Sequence, residues 1–164
     1  MALISEKFNE ALNAQVKEEL YSAYLYLGMS YWLKEKNFNN LGEWYFLQYN
    51  EELAHAYKFM DYIVETGGSV KLHALGEPKI DWQNVEEIVN AGYTHEQFIT
   101  GKINDLVVLA EELKEFAPRE LLQWFITEQI EEEASASELV DRQKAFRNDM
   151  LFDHHTHRAP EAAE

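Results

Sequence analysis

Glu52 and His55 stand three residues apart in the stretch QYNEELAHAYKF, residues 48–59. On a helix that spacing puts a carboxylate and an imidazole on one face, aimed at one point. Leu41, Tyr45, Gln48, Phe59 and Tyr62 recur around them at the same helical period, so the pair lies where core side chains belong. Burying one unpaired glutamate costs on the order of several kcal/mol, and a group of them needs a positive partner. The chemistry these residues offer is binding of a cation by oxygen and imidazole ligands.

Three more stripes carry the same kind of interruption. Phe8, Leu12, Val16, Glu19, Ala23, Leu27 and Ser30 form one; Ile88, Gly92, Glu96, Ile99, Ile103, Leu106 and Ala110 form another. The last runs Leu122, Phe125, Gln129, Glu132, Ala136, Leu139 and Phe146. A single seam glutamate is more often a rim residue reaching for water, and a lone Glu-x-x-His arises often by chance on charged helices. Agreement among four segments, each interrupted near its middle, favours a shared metal site. One Glu from each of two helices and a Glu-x-x-His from each of the others is the di-iron carboxylate arrangement, with one departure: the second motif reads Gln129-Ile-Glu-Glu132.

Glu51, Glu128 and Glu131 neighbour these seam residues and would form either a third, weaker cation site or a solvated acidic face. Tyr26 and Trp124 fall near the same level, as core aromatics or as donors of an electron or hydrogen bond to a metal-bound oxygen species. Tyr21 and Tyr24 are assigned to packing, and His73 and His95 to the surface.

The elements that must position these residues are four helices, from about Ser5 to Lys36, Asn39 to Thr66, Asn84 to Glu115, and Pro118 onward. Ser5 suits an N-cap, Gly67-Gly68 a C-cap, and Pro118 a first turn. The links KNFNN and EFAP are short and imply antiparallel neighbours, whereas Gly67 to Gln83 spans 17 residues. A 28-residue helix is roughly 42 Å long, and a 17-residue link reaches roughly 56 Å, enough to cross the bundle and join two parallel helices. The expected fold is all-α: a four-helix bundle over residues 1–147 with one long crossover between helices two and three. Residues 148–164 form a C-terminal segment that is either a short helix or a flexible tail.

Composition narrows the partners. The 164-residue chain carries a formal charge of −16, which repels nucleic acid and anionic membrane and attracts cations. It has no cysteine, which rules out disulfides and thiolate metal sites. Neither a secretory signal pattern nor an apolar run of about 18 residues is present, so the expected setting is soluble and cytoplasmic.

At EELYSAYLY, NEELAH, THEQFITGKINDL and LLQWFITEQIEEE the chain resembles the bacterial and archaeal non-haem ferritins, from about residue 3 to 147. The resemblance implies a ferroxidase and iron store: Glu19, Glu52 and His55 hold one iron, and Glu52 bridges to a second held by Glu96 and Glu132. Gln129 becomes a hydrogen-bonding residue or weak ligand, and Tyr26 and Trp124 flank the centre. Glu51, Glu128 and Glu131 hold a third iron that tunes turnover. It also implies a 24-subunit shell of octahedral symmetry, with Fe(II) and dioxygen or peroxide as reactants. Haem-binding relatives place a methionine after the bridging glutamate; here Leu53 stands there, so no haem is expected. The C-terminus departs from the family's apolar fifth helix, and His154, His155 and His157 either line a pore or belong to a mobile tail. Two other functions compete: a rubrerythrin-like peroxide reductase, disfavoured by the absence of cysteine, and a non-catalytic acidic scaffold or cation buffer.

Overall fold

The computed structural model describes residues 3–158. They form helices α1 (Glu6–Glu35), α2 (Asn39–Glu65), α3 (Val85–Glu112), α4 (Arg119–Phe146) and a short α5 (Asp149–His154), with no strand among the described residues. This is the four-helix bundle with one long crossover. None of the helices is long and apolar enough to cross a membrane.

Local signals set the helix ends. Ser5 Oγ accepts the Phe8 N–H at 3.1 Å, and Asn84 Oδ1 accepts that of Glu87 at 2.8 Å, satisfying amides that have no partner within the helix. At the end of α2 the chain reverses at Gly67, whose φ of 79° is left-handed and costs glycine little. Gly68 N then donates to Ile63 O at 2.8 Å. Pro118 occupies the N-cap position of α4, one residue outside the helix.

The crossover runs the length of the bundle. At its start Asn13 clasps it, donating to Ser69 O at 2.9 Å and accepting from Lys71 N at 2.6 Å. At its far end Trp82 is buried with Leu25, Leu33 and Leu41, at the opposite end of α1. α3 therefore starts beside the start of α2, and the two run parallel.

The apolar core is divided in two. One cluster contains Met29, Leu33, Leu41, Tyr45, Ile88 and Leu139; the other contains Phe8, Leu12, Phe59, Ile103, Leu122 and Phe125. Between them lies a layer of buried polar side chains contributed by all four long helices. Packing is tight at its edge: a Cβ on Gly92 would lie 2.9 Å from Tyr45 Oη.

The expected seams are buried, except that Leu27, Tyr62 and Phe146 are only half-buried. Two assignments are corrected. Tyr24 is 46% exposed and does not pack in the core. His95 is not a surface histidine: it is half-buried, with Nε2 2.7 Å from Ser22 Oγ and its ring against Tyr21 and Tyr26.

The C-terminal segment begins with the short helix α5, docked on the bundle; residues 155–158 follow it without helix, and from Ala159 on the segment lies outside the described residues. Phe152 is fully buried against Phe146, and Asp153 Oδ1 accepts the Leu41 N–H at 2.8 Å. α2 lacks a side-chain cap from its own N-cap residue, Phe38, so the tail supplies a partner for its first turn. His154, His155 and His157 are exposed, with His155 stacked on Phe146.

Candidate metal centre

Glu19 from α1, Glu52 and His55 from α2, Glu96 from α3 and Glu132 from α4 meet in the polar layer, each no more than 5% exposed. Their ligand atoms form three overlapping groups within 4.8 Å: Glu19, Glu52 and His55; Glu52, Glu96 and Glu132; and His55, Glu128 and Glu132. Glu52 is the one residue common to the two fully buried groups, whereas His55 and Glu132 each join one of them to the Glu128 group.

Amide and hydroxyl donors orient the carboxylates. Gln15 Nε2 donates to Glu19 Oε1 at 2.8 Å, and Gln48 Nε2 donates to Glu52 Oε1 at 3.0 Å and to Glu132 Oε2 at 2.7 Å. Gln129 Nε2 donates to Glu96 Oε2 at 3.2 Å and lies 3.3 Å from Thr100 Oγ1. Tyr26 Oη donates to Glu96 Oε1. Each donor consumes one lone pair and leaves others facing inward, as outer-shell partners of metal ligands do.

The electrostatics are those of a site built for a cation. Burial raises the proton affinity of all four carboxylates; Glu52 is pushed up to about 8 by burial and by Glu96, and Glu96 to about 7 by burial. Glu19 and Glu132 are raised by the same desolvation. Burial opposes charge on His55 too, but hydrogen bonds to Glu128 and Glu52 and the nearby carboxylates outweigh it and hold the imidazole well above its usual range. Its Nδ1 lies 3.3 Å from Glu52 Oε2 and its Nε2 3.3 Å from Glu128 Oε1. Glu19 Oε2 is buried with no hydrogen-bond partner among the described residues. A buried carboxylate oxygen with no hydrogen bond, 3.9 Å from His55 Nδ1, fits a bound cation, and oxygen donors with one imidazole suit iron.

Among the described residues, Glu51, Glu128 and Glu131 form no common group of ligand atoms within 4.8 Å. Glu128 is half-buried and reaches inward to His55; Glu51 is bound by Arg158 from the C-terminal segment; Glu131 is exposed. Trp124 is 36% exposed, with its ring edge-on to His55 at 5.7 Å and Lys58 Nζ 4.1 Å from its centroid. Sequence reasoning gave no site role to Gln15, Gln48 or Arg158. Gln15 and Gln48 each precede a ligand by one helical turn, a spacing legible in the sequence. Nothing local marked Arg158.

A family model described as a ferritin-like domain matches residues 9–146. A bacterial non-heme ferritin of Bacteroides fragilis is 34% identical over 150 residues, covering 92% of this chain and 94% of the relative. Another, of Campylobacter jejuni, is 36% identical over 142 residues, covering 87% and 85%. Among solved structures, an open pore ferritin from the hyperthermophilic archaeon Archaeoglobus fulgidus superposes with a TM-score of 0.91 at 40% identity, covering 97% of this chain and all of that one. Family match, shared bundle and a buried carboxylate–histidine layer lead to one conclusion: the chain belongs to the ferritin-like family, as an iron-storage ferritin with ferroxidase activity.

Proposed function

We propose that the buried layer is a dinuclear ferroxidase centre taking two Fe(II) per subunit. Glu19, Glu52 and His55 hold one iron, Glu52, Glu96 and Glu132 hold the other, and Glu52 bridges them. The observation that carries this reading is that Glu52 is the residue common to the two fully buried ligand groups. Two adjacent Fe(II) supply two electrons together, enough to take dioxygen to peroxide or peroxide to water. Tyr26 and Gln129 fix the Glu96 carboxylate by hydrogen bonds and leave it free to meet the second iron. Because Gln129 stands where a second histidine would bind more strongly, the second iron is held loosely and leaves as Fe(III). Glu51, Glu128 and Glu131 are outer carboxylates that modulate iron traffic, and Glu128 also orients the His55 imidazole.

Residues 1–147 form the unit that carries this chemistry, with 148–164 appended to it, in the cytoplasm. Stoichiometric Fe(II) added to metal-free protein in air gives a transient blue or amber absorbance; a slow baseline rise without it would sink the reading.

The subunits assemble as a 24-subunit shell that stores the ferric product as mineral. At −16 per chain, 24 copies carry a formal −384, a repulsion that salt screens over roughly 10 Å at 0.1 M. Large particles are expected at moderate or high salt and smaller species at low salt. Light scattering across a salt series checks this, and a size constant down to a few mM salt counts against the repulsion argument.

A further inference from the structure

Among the described residues of the C-terminal segment, Arg158 touches the machinery of the centre. Its Nη2 donates to both oxygens of Glu51, and its Nη1 donates to Gln48 Oε1 at 2.6 Å. Gln48 is 1% exposed, and its Nε2 bonds both Glu52 and Glu132. One side chain therefore joins an outer acid to the amide that orients two inner ligands.

The contact is built, not incidental. The guanidinium lies over the Trp44 ring, 4.8 Å from its centroid, and the Arg158 and Glu51 side chains are 17% and 13% exposed. The backbone leading to it is fixed at several points. Phe152 is buried, Asp153 meets the first turn of α2, Thr156 Oγ1 donates to Phe152 O at 2.7 Å, and Arg142 donates to His155 O. A planar guanidinium that grips both carboxylate oxygens occupies the lone pairs a metal ion would use.

We propose that Arg158 is a positioning residue for the iron centre. It is a tethered cation that latches the C-terminal segment onto Glu51 and Gln48, and a divalent ion binding at Glu51 must displace it. In the latched state Gln48 is pinned from both ends, its oxygen by Arg158 and its nitrogen by Glu52 and Glu132. When a cation takes Glu51, the guanidinium leaves, the backbone around Arg158 loosens, and Gln48 is released to follow the carboxylates as they turn toward metal. The inference rests on the proposed role of Glu51 as an outer carboxylate in iron traffic.

Two measurements on the assembled protein test it, with Zn(II) as a probe that does not oxidise. In calorimetric titrations, Arg158→Ala should bind the weakest class of Zn(II) about tenfold tighter than wild type, the order expected for removing one charged competitor. Arg158→Lys should fall between, since it keeps the charge without the two-pronged grip. Separately, the chain has no cysteine, so His157→Cys carries a single spin label beside an intact Arg158. Its label should be immobile in metal-free protein, gain mobility as the weak Zn(II) class fills, and lose it again on chelation. Superimposable isotherms for wild type and Arg158→Ala, or a label that stays immobile at full Zn(II) occupancy, would overturn the proposal. Absence of any weak class in either protein overturns it together with the outer-site reading. The dinuclear centre is judged apart, by whether a tight Zn(II) class exists and is lost in Glu52→Ala.

Discussion

Glu51 and Glu52 are adjacent in sequence and meet opposite solutions to the same problem. Glu52 faces the middle of the bundle, where it is oriented by an amide, pressed by other carboxylates and driven by burial to hold a proton. Glu51, rotated by about 100° on the same helix, faces the bundle's flank and is met by a guanidinium. The same division separates Glu132 from Glu131, which is exposed. Inside the bundle the protein provides neutral donors and a single histidine, and leaves the remaining charge to be balanced by protons or metal; outside, it provides a guanidinium or leaves the acid exposed. Glu128 crosses this line. It sits on the outer face by sequence but lies 3.3 Å from His55.

The largest effect is expected from breaking the inner set at its shared member. Glu52→Ala should slow the first rapid Fe(II) oxidation by on the order of 100-fold or more, since it removes a ligand from both metals at once, beyond the roughly 10- to 100-fold typical of losing a ligand's hydrogen-bond partner. The metal-free variant should melt at or above the wild-type temperature, because it deletes one member of a crowded group of buried carboxyls. Stopped-flow absorbance and calorimetry read the two effects, and a wild-type oxidation rate would mean the centre lies elsewhere.

Next comes pH. A buried carboxyl with a raised pKa holds its proton in the folded state while the unfolded chain has lost it, so metal-free stability is highest below about pH 4.5 for these groups. It falls as pH rises through about 7 for Glu96 and about 8 for Glu52. His55 acts in the same direction, because its raised folded pKa gives stability that is lost as pH climbs above its unfolded value. Metal-free protein should therefore unfold in less denaturant at pH 8 than at pH 6. The stabilisation gained on adding Zn(II) should grow over the same interval as metal replaces protons. Denaturant midpoints with and without Zn(II) would show it, and a metal-free midpoint that rises from pH 6 to 8 would contradict the sign.

The smallest effects sharpen the boundary between the two sets. Glu128→Ala should slow the first oxidation by roughly tenfold, as loss of the group that orients a ligand imidazole does. A Glu51→Ala, Glu131→Ala double variant should leave that first step within about twofold and alter only how the centre reloads in later turnovers. Single-turnover and multiple-turnover iron additions separate these, and equal single-turnover losses in both variants would erase the distinction.

Much of this was legible in the chain because helical period and hydrophobic pattern are local. Ser5, Gly67 and the unequal links gave the ends, the topology and the crossover, and the seam positions of Glu19, Glu52, His55, Glu96, Gln129 and Glu132 lie in one buried layer. Their spacing fixes which face each presents, and four such faces can share only one interior. What sequence alone could not supply is where the off-seam residues go. His95 sits between seam positions, and only the close approach of Ser22 and Tyr26 from α1 buries it and holds its pKa down to about 4. Tyr24 looks like packing by composition yet points outward.

The four-helix bundle and its carboxylate layer were written in the sequence, because amphipathic period and residue type set them within each helix. The partnership of Arg158 with Glu51 and Gln48, the capping of α2 by Asp153, and the inward turn of Glu128 were decided only by tertiary structure. Each joins residues 70 or more positions apart in sequence, through side-chain directions that no local pattern encodes.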